Sequence, residues 1–450
     1  MSRPDPSILV EKQTHIRYLI VTMLFIASCF SYGDRVALAV AGVAMQKALA
    51  LNPLKMGWLL SGAGWAYTLG QLPSGGLLDR FGSKRVYGIS IIVWSICAFL
   101  IGLAGYAPAA MVFSIIFGLR LMSGLVQSPV FPGNGRIVAA WFPTAERGRA
   151  CAIFNSSQYF ALVAFAPLFG WLTTHYGWRS CFYCMAFFGW LLAFAWWKLV
   201  FNVKDHPLIS QSEIDCVERG GGLVNLDSST GARRNPLTWG TLKLLLSQRM
   251  LVGIYIGQFC INTLTTFFLT WFPSYLVKQR HMTILQAGFA AALPALCGFT
   301  GGILGGISSD WLLRRGYSLT FARKAPLIAG MLLSVTMIAC NYTNAQTLVM
   351  VLMSLAFFGK GFGALGWTVI ADTSPKQLIG VNGGLFNTFG NLSTITTPIV
   401  IGFLVNNKTG SFNNALIFVG ATALLAIFSY VVIVGEIKRL ELPMPAEGVA

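Results

Sequence analysis

Gly75-Gly76-Leu77-Leu78-Asp79-Arg80-Phe81-Gly82-Ser83-Lys84-Arg85 closes a long apolar stretch, and a partial copy, Gly306-Ile307-Ser308-Ser309-Asp310-Trp311, closes another one 231 residues further on. Further positions repeat at nearly the same offset. Pro143, Gly148, Phe154-Asn155 and Gly170 return 232 residues later as Pro375, Gly380, Phe386-Asn387 and Gly402, and Pro167 returns as Pro398. A single match is cheap, but several at a nearly constant shift mark a duplicated chain. Working outward, apolar stretches long enough to cross a ~30 Å hydrocarbon layer at 1.5 Å per residue cover 18–45, 56–78, 86–105, 109–138, 149–173, 179–201, 250–276, 286–311, 325–341, 347–372, 380–405 and 413–435. The expected fold is therefore an all-α integral membrane protein with twelve transmembrane helices in two pseudo-symmetric six-helix halves, 1–201 and 249–450. The segment 202–248 is the expected cytoplasmic linker, partly helical through a Ser210-x-x-Glu213 capping box and an amphipathic stretch over 237–246. Parallel duplication of this kind places a substrate site near the bilayer midplane, between the halves.

Composition narrows the function classes. Of 450 residues, 55% are hydrophobic and 10% charged, and the mean hydropathy is +0.66. A soluble domain carries about 25% charged residues. The net charge of +17 would suggest a nucleic-acid partner in a soluble protein; in a chain that meets a lipid bilayer it reports topology instead. With the N-terminus inside, Arg80, Lys84, Arg85, Arg233, Arg234, Arg314, Arg315, Arg323 and Lys324 all fall on the cytoplasmic side. The opposite side holds Lys47, Lys55, Arg179, Lys278, Arg280 and Lys408, so both termini are expected to be cytoplasmic. The first span is too long for a cleavable signal and carries two charges. The nine cysteines lie mostly in apolar runs, and Cys181 and Cys184 read as packing groups rather than metal or redox ligands. His15, His175, His206 and His281 fall at ends or in loops, away from any nucleophile set. No enzyme, metal site or cofactor is expected, and one chain is expected to suffice as a monomer.

The first span reads Phe30-Ser31-Tyr32-Gly33-Asp34-Arg35 at its centre. A charge at that depth costs roughly 2.5–3.5 kcal/mol on insertion scales, and neighbouring side chains on a helix diverge by about 100°, so at least one of the pair must face a polar interior. Arg120 and Lys360 lie at comparable depth in the fourth and tenth spans. Against Asp34, the cations Arg35, Arg120 and Lys360 leave two net positive charges, which suits a dicarboxylate. Two bland readings stand beside this one: Arg120 pairs with Asp34 for structure alone, or Lys360 snorkels or is neutral. Tyr32, Tyr67, Gln158, Asn262, Trp367, Asn387 and Asn391 add mid-span hydrogen-bonding groups and aromatic faces that suit a polyol, although such residues also glue helices together.

The Gly75–Arg85 loop and its repeat resemble the signature loop of the major facilitator superfamily. Tyr32–Arg35, Trp65-Ala66-Tyr67, Phe131-Pro132-Gly133-Asn134, Arg136–Pro143, Asn155–Phe160 and Phe358–Trp367 resemble the anion:cation symporter branch. Within that branch the chain is most similar to bacterial proton-coupled glucarate/galactarate transporters. The resemblance implies the major facilitator fold, a location in the bacterial inner membrane and import of a sugar diacid by proton symport. It also implies ligand contacts at Arg35, Tyr67, Gln158, Trp367 and Asn387. Galactonate, a hexuronate or tartrate remain alternative substrates.

One position departs from that pattern. Where the branch has glutamate in G-x-x-E-x-P, this chain has Gly124-Leu125-Val126-Gln127-Ser128-Pro129. Gln127 shares a helix face with Arg120, seven residues earlier, but cannot titrate. Asp34 is then the expected proton site, with Arg120 and Gln127 as its coupling partners, and three readings of Gln127 stay open: an exchanger, an unusual stoichiometry with a different proton site, or a variant whose uphill transport is impaired. Asp79, Arg80, Arg85, Asp310 and Arg314 are expected at cytoplasmic helix ends as latches between the halves, and Asp372 belongs to the same class.

Overall fold

In the computed structural model, residues 14–143, 146–224, 239–375, 378–405 and 410–440 are described, and they are helical with no strand among them. The helices are α1 (Ile16–Ala48), α2 (Pro53–Phe81), α3 (Ser83–Ala104), α4 (Ala109–Gln127), α5 (Val130–Trp141), α6 (Arg147–Tyr176), α7 (Arg179–Leu199), α8 (Gln211–Arg219), α9 (Trp239–Ser247), α10 (Arg249–Thr270), α11 (Phe272–Lys278), α12 (Ile284–Arg314), α13 (Leu319–Val335), α14 (Gln346–Gly361), α15 (Leu365–Thr373), α16 (Ile379–Leu404) and α17 (Asn413–Phe428). Ten spans among the described residues are long and apolar enough to cross a membrane. Two more helices, α2 and α16, are 29 and 26 residues long and stand where the second and eleventh spans are expected.

Five expected spans prove to be composite, the seventh dividing at Trp271 into α10 and α11 and the twelfth passing from α17 into a π turn over Ser429–Ile433. The fourth breaks at Ser128-Pro129 into α4 and α5, because proline brings no N–H and clashes with the preceding turn. The ninth tightens into a 3-10 turn over Thr336–Tyr342. The tenth is interrupted at Phe362–Ala364, between α14 and α15. There, glycines bring backbones together: a Cβ on Gly361 would lie 2.4 Å from the carbonyl oxygen of Gly298, and one on Gly301 would lie 2.0 Å from that of Phe358. Close α12–α14 contact through small residues is the usual packing mode where lipid removes the hydrophobic drive between helices.

The bundle is closed at one end and open at the other. At the end holding the C-terminus of α1 and the N-terminus of α2, one apolar cluster is shared by α1, α2, α6, α10, α12 and α17. There α2 presses on α16, with Gly57 facing the carbonyl of Pro398 and Gly402 facing that of Pro53, while α6 presses on α12 at Ala166 and Gly288. Lys278 also donates to Gln46 across this end. Toward the other end the core divides into two separate clusters, one around Tyr87, Trp94, Trp141 and Trp196 and one around Tyr255, Met331, Phe386 and Tyr430. Around Gly76, Gly135, Gly306, Gly383 and Gly384 there is open space.

The described start of the 202–248 segment is docked on the first cluster through Val203, Ile214, Val217 and Val224. Only half of the expected capping box forms. Ser210 Oγ accepts the Glu213 N–H at 3.3 Å, but the buried Glu213 carboxylate turns to α1 instead. It accepts from Thr14 Oγ1 at 2.7 Å and from the backbone N–H groups of Ile16 (3.0 Å) and Arg17 (3.2 Å). An anion at the orphan N–H groups of a helix start is worth more there than in its own short helix. The amphipathic stretch at 237–246 corresponds to α9, with residues 237 and 238 outside the described set.

Candidate substrate and coupling site

Asp34 leaves α1 toward α4. Its Oδ2 sits 2.6 Å from Arg120 Nη1, and the two side chains are 3% and 1% exposed. Ser123 Oγ and Gln127 Nε2, one and two turns along α4 from Arg120, lie 3.4 and 3.3 Å from the same oxygen. Gln127 also donates to Ser123 at 3.0 Å and accepts from Ser31 at 3.1 Å. The amide orientation is thereby set, with the NH₂ on the carboxylate and the carbonyl on a hydroxyl. Removing either member of such a buried pair costs about 3–5 kcal/mol. Arg120 Nε is buried without a hydrogen-bond partner among the described residues.

Arg35, the neighbour on α1, points elsewhere. Its guanidinium lies over the rings of Tyr32 (5.4 Å) and Tyr67 (5.3 Å), with no ion pair among the described residues. It shares a cavity with Tyr32, Arg120, Gln158, Asn262 and Asn391, so six of the expected ligand residues converge. The four others lie back from this wall. Tyr67 supports Arg35 from beneath, and Asn387 donates to Gln71 across α16 and α2 at 3.4 Å. Trp367 is half exposed and edge-on to Phe386. Lys360 is buried and donates to the Tyr159 hydroxyl at 3.4 Å.

The opposite wall holds groups that reading the sequence missed: Thr265, Thr266 and Thr270 on α10 and Thr394 on α16. The α10 threonines stand three, four and eight residues after Asn262, on one helix face, and this was the available signal. Thr265, Thr270 and Thr394 donate to their own helix carbonyls at 3.3, 2.5 and 2.7 Å, so they offer lone pairs to the cavity. The cavity thus combines cationic donors from α1 and α4 with amides and hydroxyl acceptors from α10 and α16, which is complementary to an anion that also carries hydroxyl groups.

The latch residues behave differently from expectation in this conformation. Asp310 pairs with Arg323 (3.4 Å), as does Asp372 (2.9 Å), and all three belong to α12, α13 and α15. Arg323, not Arg314, is the cation used, and the contact stays within one helix set. Among the described residues, no ion pair joins Asp310, Asp372 or Arg323 to the other helix set. Arg80, Arg85 and Arg314 are exposed at the open end, and the side chain of Asp79 lies outside the described residues.

A bundle of membrane-spanning helices closed at one end around a central polar cavity, with charges held at its middle, defines a multi-pass membrane transporter rather than an enzyme. The chain belongs to the Major Facilitator Superfamily, whose sequence model matches residues 24–322. It is 56% identical over 431 residues to the probable galactarate/D-glucarate transporter GudP of Bacillus subtilis (strain 168), covering 96% of this chain and 94% of that one. It is 39% identical to the D-galactonate transporter of Escherichia coli O6:H1, covering 97% of this chain and all of that protein. Among solved structures, a D-xylose-proton symporter superposes with a TM-score of 0.71 over 94% of this chain and 98% of that one, at 13% identity, a likeness of fold alone.

Proposed function

We propose that this protein imports a sugar diacid of the galactarate/glucarate type across a bacterial inner membrane by proton symport. The observation that carries the proposal is the Asp34–Arg120 pair at 2.6 Å, set beside an Arg35 that no carboxylate among the described residues engages. Arg35 is the standing seat for one substrate carboxylate. Protonation of Asp34 frees Arg120 to join it, so proton and anion bind together through a shared cation. Lys360 takes the second carboxylate, while Gln158, Asn262, Asn391 and the threonines of α10 take the hydroxyls. The greater identity to the galactarate/D-glucarate transporter than to the D-galactonate transporter supports a diacid over a monoacid.

Transport then proceeds by rocking of the halves 1–201 and 249–450 about the site, with 202–248 tying them on the cytoplasmic side. With both termini cytoplasmic, the locked α2–α16 end is periplasmic and the conformation described is open inward. Asp310, Asp372 and Arg323 are then free to re-pair across the halves when that end closes.

Gln127 supports a second reading, an exchanger or a carrier of another organic anion. Its amide, not a carboxylate, stands 3.3 Å from Asp34. One proton per dianion moves negative charge inward, against the usual membrane potential. Uptake of labelled galactarate into proteoliposomes, with the pH gradient and the voltage varied separately, tests both. Accumulation driven by an inward proton gradient is expected; counterflow without accumulation identifies an exchanger and refutes symport. Lys360→Gln is expected to weaken galactarate far more than galactonate.

A further inference from the structure

Lys360 is a basic side chain inside a membrane-spanning helix, with no carboxylate beside it among the described residues. It is 6% exposed, and among the described residues no carboxylate pairs with it. Its Nζ donates to the Tyr159 hydroxyl at 3.4 Å and lies 5.3 Å from the ring centre of Tyr159 and 5.4 Å from that of Phe357. An ammonium has three donors, and one neutral oxygen with two ring faces satisfies them poorly. A buried charge left in that condition points to a second partner supplied by another state or by a ligand.

The surroundings say which. Tyr159 is on α6 and Lys360 on α14, so their hydrogen bond joins the two helix sets. The Tyr159 ring is wedged edge-on between Phe299 and Phe357. Gln158, the preceding residue on α6, lines the cavity, whereas Lys360 does not. The Lys360 ammonium is therefore held by a hydroxyl on α6 that is next in sequence to a cavity-lining residue.

We infer that Tyr159 is a positioning residue that parks Lys360 away from the cavity and surrenders it to the second carboxylate of a dianionic ligand. The inference rests on the sugar-diacid reading. The exchange of a phenol for a carboxylate breaks one contact between the helix sets, and a monoanion seated on Arg35 has no group to bring it about. Diacid and monoacid are thus told apart by whether this bridge opens.

The test is calorimetric binding of galactarate and galactonate to the full-length protein in lipid nanodiscs, comparing Tyr159→Phe, Lys360→Gln and the double variant with the unaltered chain. Tyr159→Phe keeps the ring and deletes the competing acceptor. A charge-assisted hydrogen bond corresponds to about tenfold or more in binding, so galactarate is expected to bind at least about tenfold more tightly while galactonate is unchanged. Lys360→Gln should weaken galactarate selectively and make Tyr159→Phe silent in the double variant. If Tyr159→Phe moves both ligands alike, leaves galactarate unchanged, or acts equally without Lys360, Tyr159 is only packing and the inference falls, while the diacid reading stands on the Lys360→Gln result. If Lys360→Gln does not separate the two ligands, or the unaltered chain binds neither, both fall.

Discussion

Asp34→Asn removes one charge while keeping the size of the side chain and one hydrogen-bond acceptor. At 2.6 Å from Arg120 the lost attraction is about 6 kcal/mol for an effective dielectric of about 20. The retained amide oxygen offsets part of that, so the net destabilisation should fall near the lower end of the about 3–5 kcal/mol typical of a broken buried pair. The larger effect is on coupling. While Asp34 is ionised, a substrate carboxylate must displace it from Arg120. In the variant that competitor is permanently absent, so galactarate binding should become tighter at alkaline pH and lose its dependence on pH. In proteoliposomes, accumulation driven by a pH gradient should vanish while exchange against preloaded galactarate continues. Accumulation at the unaltered level, or binding that keeps its original pH dependence, refutes the role given to Asp34 and the shared-cation mechanism with it.

Gln127→Glu introduces a second carboxylate about one hydrogen bond from Asp34, so two protons should accompany each dianion and the voltage dependence of galactarate uptake should flatten; an unchanged voltage dependence argues that position 127 takes no part in coupling. Gly57→Ala sets a methyl 2.5 Å from the Pro398 carbonyl and should wedge α2 from α16; a cysteine placed by Thr394→Cys should then react faster with an impermeant maleimide added outside, and equal rates count against α2–α16 contact as the closed gate. His206, in the docked segment between the membrane-spanning helices α7 and α10, is held below its usual protonation range by burial, and its Nδ1 accepts the Leu208 N–H at 3.2 Å. A histidine with lowered proton affinity contributes stability in full above the unfolded value of about 6.5 and loses it as pH falls below that. The unfolding midpoint should therefore drop on acidification, less steeply in His206→Gln; parallel profiles refute this.

The identity and depth of the charged residues needed no tertiary information, because a buried charge in lipid is costly whatever its neighbours are. Asp34, Arg35, Arg120 and Lys360 stood out for that reason, and the offset of 231 or 232 residues gave the duplication by simple comparison of the chain with itself. Hydropathy and repetition are properties of a segment alone. Partnership is not. Whether Asp34 meets Arg35 or Arg120 depends on how α1 is rotated against α4, and side chains at adjacent positions leave the helix in different directions. Glu213 abandoned its own helix for the start of α1, Asp310 chose Arg323, and Lys360 found Tyr159, each because packing brought a group from another helix within reach. The threonines of α10 belonged to the cavity only once glycine contacts had pressed the two helix sets together at one end and left them apart at the other. The sequence by itself determined the membrane architecture and which charges must be inside it, since those follow from transfer energies summed along the chain. Only the tertiary structure decided which groups face one another, since that follows from the rotation and approach of helices whose backbones are already satisfied internally and so carry no local code for their neighbours.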